Sequence, residues 1–173
     1  MPQSANRIYI QIELKAIMKF RRMAPQRRKE LFGTAAERYK QYLRKRYISN
    51  SSGKGGWAEL KKSTKQRKKR RGIATNPNWI LRESNTLLNS MDYQLNPKGF
   101  EIGYLGIKSQ DIHPTNDYTA APITVGGLAE VHHFGLGRQI ARPIIVEPDS
   151  RHYKLIIEAV QKEFNKLIRE VNI

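Results

Sequence analysis

Residues 65–71 read Lys-Gln-Arg-Lys-Lys-Arg-Arg, six cations in seven positions, and no packed core admits such a run. Any fold of this chain must hold the segment at its surface. The only nearby apolar anchors, Trp57 and Leu60, stand before it. The run is part of a wider imbalance. Residues 1–82 carry 23 Lys+Arg against 4 Asp+Glu, a net of +19, whereas 83–173 carry 9 against 11, a net of −2. The 173-residue chain is therefore +17 overall, with the excess in one half. A field of one sign attracts polyanions such as nucleic acid, an anionic membrane surface or an acidic protein face, and it works against the isolated fold by self-repulsion.

The chain has no cysteine, which excludes a disulfide framework, a thiolate zinc site and a cysteine nucleophile. The uncharged stretch Thr119–Leu128 is short and broken by Pro122, Gly126 and Gly127, so the sequence predicts no membrane span. Met1-Pro-Gln-Ser lacks the apolar core of a targeting segment.

Hydrophobic periodicity places the elements. Ile8, Ile10, Ile12 and Leu14 alternate, the period of a half-buried strand over Arg7–Leu14. Lys15–Arg22 reads as a short helix, and Pro25 suits the first turn of the next. From Gln26 to about Ile48, Phe32, Ala35, Ala36, Tyr39, Tyr42, Leu43 and Tyr47 recur at helical spacing, while Arg28, Lys29, Arg38, Lys40, Arg44 and Lys45 mostly lie off that face. Ser49–Gly56 reads as a flexible surface loop. Trp79-Ile80-Leu81 with Leu87, Leu88 and Met91 suits a short helix pinned into the core. Met91, Tyr93 and Leu95 before Asn96-Pro-Lys-Gly99, and Phe100, Ile102 and Tyr104 after it, predict a hairpin closed by a type I turn. A third strand, from Arg7–Leu14 or from near Ile144, is needed for independent stability. Residues 108–127 read as a long loop. Asp149 or Ser150 caps a final helix with an apolar stripe of Tyr153, Ile156, Ile157, Val160, Phe164, Leu167, Ile168 and Val171.

These elements predict a single α+β domain over 1–173: a small, mostly antiparallel sheet packed by a long basic N-terminal helix and a C-terminal amphipathic helix. A basic loop or helix segment at 49–78 and the loop at 108–127 offer assembly contacts.

Lys65, Arg67, Lys68, Lys69, Arg70 and Arg71, supported by Arg44 and Lys45, are candidates for contact with DNA or an acidic partner. A solvated charge run is the plainer alternative. Tyr39, Tyr42 and Tyr47 interleave with Arg38, Arg44 and Arg46 as base-stacking rings do, yet they share the stripe with Phe32 and Leu43, and core packing is the better reading. His132 and His133 are adjacent, without the i+4 spacing or carboxylates of a metal site. His113 and Asn116 bear only a faint likeness to a metal nuclease. Gly53-Lys-Gly-Gly56 lacks the spacing and the Lys-Ser/Thr pair of a phosphate loop. No nucleophile elbow or paired carboxylates are found, so no catalytic residue, metal ligand or cofactor is assigned.

The order of features carries more. Trp57-x-x-Leu60-x-x-x-Thr64 precedes a Lys-rich stretch, then Ile80-Leu81-Arg-Glu-Ser-Asn-Thr-Leu87-Leu-Asn-Ser90, a hairpin, Val131-His-His-Phe-Gly135 and Ala141-Arg142-Pro143. Over roughly residues 57–146 this order resembles the phage virion morphogenesis family, which includes Mu-like tail-completion proteins. Asn85 stands where that family commonly has glycine, His133 where it has glutamine and Ile144 where it has phenylalanine. Asn tolerates a left-handed backbone nearly as well as glycine does. The resemblance implies a non-enzymatic structural protein of the virion neck, assembled in the host cytoplasm. There it would form a homo-oligomeric ring between the head-tail connector on the portal side and the tail terminator or tail tube, with phage DNA passing through the channel and no membrane involved. It implies core roles for Trp57, Leu60, Leu81 and Leu87. His132, His133, Phe134 and Arg142 become candidates for the subunit interface, with ordinary internal packing or an internal salt bridge as the alternative. A free, non-specific nucleic-acid-binding protein is the competing class.

Overall fold

The computed structural model describes residues 9–13, 24–52, 55–71, 76–82, 85–105, 123–137 and 139–171. The elements are β1 (Tyr9–Glu13), α1 (Pro25–Ser51), α2 (Lys62–Arg71), α3 (Thr86–Ser90), β2 (Asp92–Asn96), β3 (Gly99–Gly103), α4 (Val125–Phe134) and α5 (Ser150–Val171). The chain is α+β, as its periodicity predicts. The expected helix at Lys15–Arg22 and the expected loop over 108–122 lie outside the described residues.

α1 is the hub. Pro25 opens it, and Leu31, Phe32, Ala35, Ala36, Tyr39, Leu43 and Tyr47 form its buried stripe. One side packs on β2 and β3, and the other runs antiparallel to α5. At one end of this pair Arg27 Nη1 donates to the Leu167 carbonyl at 2.9 Å. At the other, the Tyr42 and His152 rings lie 4.2 Å apart. α5 thus connects to the sheet through α1.

α1 continues three residues past Ile48, into what reads in the sequence as loop. The cause is Ser51, which is fully buried. Its Oγ donates to the Ile48 carbonyl at 2.9 Å, and its own carbonyl accepts from Ile80 N at 2.8 Å. After Ser52 the chain doubles back so tightly that a Cβ on Gly55 would lie 2.4 Å from the Asn50 Cα. Only glycine fits there. The return brings Trp57 edge-on to Tyr47, with ring centroids 5.1 Å apart.

The sheet is antiparallel throughout, in the order β1-β3-β2. β2 and β3 form the expected hairpin, with Asn96 paired to Gly99 across Pro97-Lys98. Leu81 and Asn85 are the only described non-glycine residues with positive φ, so neither turn residue is left-handed and the turn is of the unprimed kind. Phe100, Ile102, Tyr104 and Met91 are buried, and Tyr93 and Leu95 pack at the edge of the core. β1 supplies the third strand, its Ile10 and Ile12 in register with Ile102 and Phe100. The segment at Ile144 is not a strand.

Two further expectations shift. Residues 125–127 are not loop but the first turn of α4, because the Thr124 side chain caps them, accepting from Gly127 N at 3.1 Å. The stripe of α5 is only half covered: Ile156, Val160, Phe164 and Leu167 are buried, whereas Tyr153, Ile157 and Ile168 remain exposed on one flank. Asp149 rather than Ser150 caps α5, accepting from His152 N at 2.9 Å. Those hydrogen bonds from His152 hold the Asp149 carboxyl below its ordinary range. Among the described residues no helix is long and apolar enough to cross a membrane.

Candidate functional site

The strap 79–82 is held by α1 and α2. The Tyr47 hydroxyl, its pKa raised by burial, donates to the Leu81 carbonyl. Ser51 holds Ile80, and from α2 the Lys68 ammonium donates to the Trp79 carbonyl at 2.7 Å. Arg82 stacks 4.0 Å from the centroid of the Trp79 ring. Leu81 has φ 54° and Asn85 φ 56°. A left-handed Leu carries strain of about 1–2 kcal/mol, and Asn carries less. Asn85 thus adopts a left-handed conformation that asparagine tolerates better than most residues with a Cβ.

A second unit is residues 131–146. α4 ends at Gly135, whose φ of 71° turns the chain sharply. A Cβ there would lie 2.6 Å from Ala141 N, so glycine is required for the returning chain to pass. Arg142 N donates to the His132 carbonyl at 2.7 Å. His133 Nδ1 accepts from the backbone N–H groups of Ile144 and Ile145 at 3.2 and 3.4 Å. This fixes the neutral tautomer with its proton on Nε2, and burial lowers the pKa of the ring. The return then docks on α1: Arg46 Nη1 donates to the Pro143 carbonyl at 3.0 Å and the Tyr39 hydroxyl to that of Val146.

The two units and α2 enclose an open cavity of about 390 Å³. Leu60, Leu81, Leu87, Leu128 and Ile140 give it aliphatic walls; Lys61, Arg67, Lys68 and Arg142 give it cations; Glu59, Thr64, His132 and Gln139 complete it. Arg142 is only 5% exposed. Its Nη1 reaches the Ile140 carbonyl at 3.2 Å, while its Nε is buried without a hydrogen-bond partner. Burial lowers the pKa of the guanidinium.

The cations read from the sequence as a surface field divide into two groups. Of the loop or helix that the sequence leaves open for the basic segment, residues 62–71 are helix, and Arg67, Lys69 and Arg70 on it are exposed, as is Lys45 on α1. Lys68 is not available at the surface: it is buried and bonded to Trp79. Lys65 pairs with Glu59 at 2.9 Å, and Arg44 donates to the Leu88 carbonyl at 3.3 Å. Lys40, which reads as surface in the helical pattern, pairs with Asp92 at 2.9 Å and lies over the Tyr93 ring. The side chain of Arg71 lies outside the described residues.

Of the landmark residues, Trp57 and Leu87 are buried, while Leu60 and Leu81 sit at the core edge facing the cavity. Tyr39 and Tyr47 are buried and Tyr42 stacks on Tyr39, so these rings pack inward. Phe134 is 58% exposed, and Leu136 and Ile140, which follow the end of α4, are exposed as well. Sequence reading misses Leu128 and Ile140, which stand in no distinguishing pattern, and places Arg46 among the tyrosines without its bond to the Pro143 carbonyl. Among the described residues no three His, Asp or Glu side chains gather as metal ligands would. Comparison with protein-family models, with characterised proteins and with solved structures returns no match.

Proposed function

We propose that this chain is a structural protein of a phage neck, which completes the tail and joins it to the head by assembling as a ring between the connector and the tail terminator. One observation carries the reading. The four separated segments that resemble the virion morphogenesis family, at 57–64, 80–90, 131–135 and 141–143, converge on a single cavity and its rim. Segments far apart in sequence thus meet in space, and Phe134, Leu136 and Ile140 nearby in the chain present exposed apolar side chains. Such side chains suit docking between subunits. The exposed Arg67, Lys69, Arg70 and Lys45 suit an acidic neighbouring ring or the DNA in the channel.

Purified virions provide the test. The chain is expected at the upper end of the tail, and particles lacking it are expected to carry unjoined heads and tails. Its absence from virions whose tails join heads normally would overturn the reading.

The exposed cations of α2, on a helix with no apolar face, favour a second reading as a free nucleic-acid-binding protein. That reading expects tight binding of the isolated chain to DNA or RNA with a steep salt slope. Weak binding at moderate salt removes it.

A further inference from the structure

A buried guanidinium without a counter-ion is unusual, because charge taken out of water is strongly unfavourable unless it is paired. Arg142 is in this position: among the described residues no carboxylate lies within ion-pair distance of it, its Nε is unbonded, and it faces a cavity. Glu59, the one acid among the described wall residues, is mostly exposed and engaged by Lys65. The backbone at Leu81, another wall residue, is held left-handed by Tyr47. The cavity is therefore built, not a chance gap between surface side chains.

We propose that this cavity is a socket for a carboxylate on an apolar stem, with the Arg142 guanidinium as its counter-ion. The planar fork of arginine matches a carboxylate with two parallel hydrogen bonds. Leu60, Leu81, Leu87, Leu128 and Ile140 receive the stem, and Arg67 and Lys61 at the wall add positive potential. The five aliphatic side chains match the stem of a carboxylic acid, whereas inorganic phosphate has no apolar part to bury against them. The carboxylate belongs either to a side chain of another protein segment or to a free organic acid. The inference rests on Arg142 and its cavity, not on the neck reading, so either can fail alone.

The test follows the Arg142 Nε–Hε resonance of the full chain by NMR, assigned with Arg142→Lys, during titration with hexanoate, hexanamide, inorganic phosphate, and acetyl-Ala-Leu-Glu-Leu-Ala-amide with its Gln counterpart. Hexanoate is expected to shift the resonance saturably and to bind at least tenfold more tightly than hexanamide, and the Glu peptide likewise over the Gln peptide. Whichever of hexanoate and the Glu peptide binds more tightly identifies the source, and either order supports the socket. Equal binding of the charged and neutral members of both pairs, or tighter binding of phosphate than of either carboxylate, overturns it. Should Arg142→Lys fail to fold, thermal shifts of the unmodified chain with hexanoate against hexanamide decide the same question.

Discussion

At the scale of single residues, His133 is defined by what it accepts. Two backbone N–H groups converge on its Nδ1, so the position calls for an acceptor and no charge. A glutamine side-chain oxygen meets the same need. His133→Gln is expected to keep stability within about 0.5 kcal/mol, and His133→Leu to lose about 2 kcal/mol by stranding both donors. Burial lowers the ring's pKa, so below the ordinary imidazole value of about 6.5 the unfolded chain binds a proton that the folded chain resists. Stability is then full above that pH and declines as pH falls toward the lowered value. Denaturant titrations at stepped pH should find this decline in the native chain and not in His133→Gln. Backbone conformation governs two other positions. Asn85→Gly should be neutral or slightly stabilising in thermal melts, since Asn85 is already left-handed. Gly135→Ala should cost about 2 kcal/mol or more, for its positive φ and for the crowding against Ala141.

At the scale of elements, the helices on the stripe and the hairpin were legible because burial imposes a period, and Phe32, Tyr39, Phe100 and Ile102 mark it plainly. The ends of elements were not. Ser51 extends α1 through bonds to a strap thirty positions later, and Thr124 starts α4 through one hydroxyl; neither residue announces such a partner in sequence. α2 is the least expected element, since it has no apolar face and makes no extended packing with another helix or strand. Its like charges at i,i+3 and i,i+4, such as Arg67 with Arg70 and Lys65 with Lys69, oppose it. Lys68 and Lys65 fasten it instead. Sulfate or a short DNA duplex should therefore raise ellipticity at 222 nm, and Lys68→Ala should lower the starting helicity and enlarge that rise. A flat response in both chains would show that α2 needs no charge relief.

At the scale of the whole molecule, the charge asymmetry of the sequence does not become an even cationic face. Arg27, Lys40, Arg44 and Arg46 are spent on carbonyls and an aspartate that bolt α1 to its neighbours. The convergence of four segments on one cavity was legible only as an order of landmarks, because distance in sequence says nothing of which walls meet. If the exposed apolar side chains near that cavity serve assembly, Phe134→Ser with Ile140→Ser should leave the melting temperature nearly unchanged while reducing incorporation into particles; unaltered incorporation would exclude this surface. The central place of α1 has a further effect during synthesis. Its stripe is complete once Ser51 has been made, but α5 begins only at Ser150, and at ribosomal speed the intervening stretch takes roughly 5–20 s. For that interval a nascent amphipathic helix, strongly cationic on its other side, stands uncovered close to ribosomal RNA. Chains arrested before β3 emerges should be protease-sensitive along α1 and should gain protection stepwise, first with the hairpin and then with the closing helix.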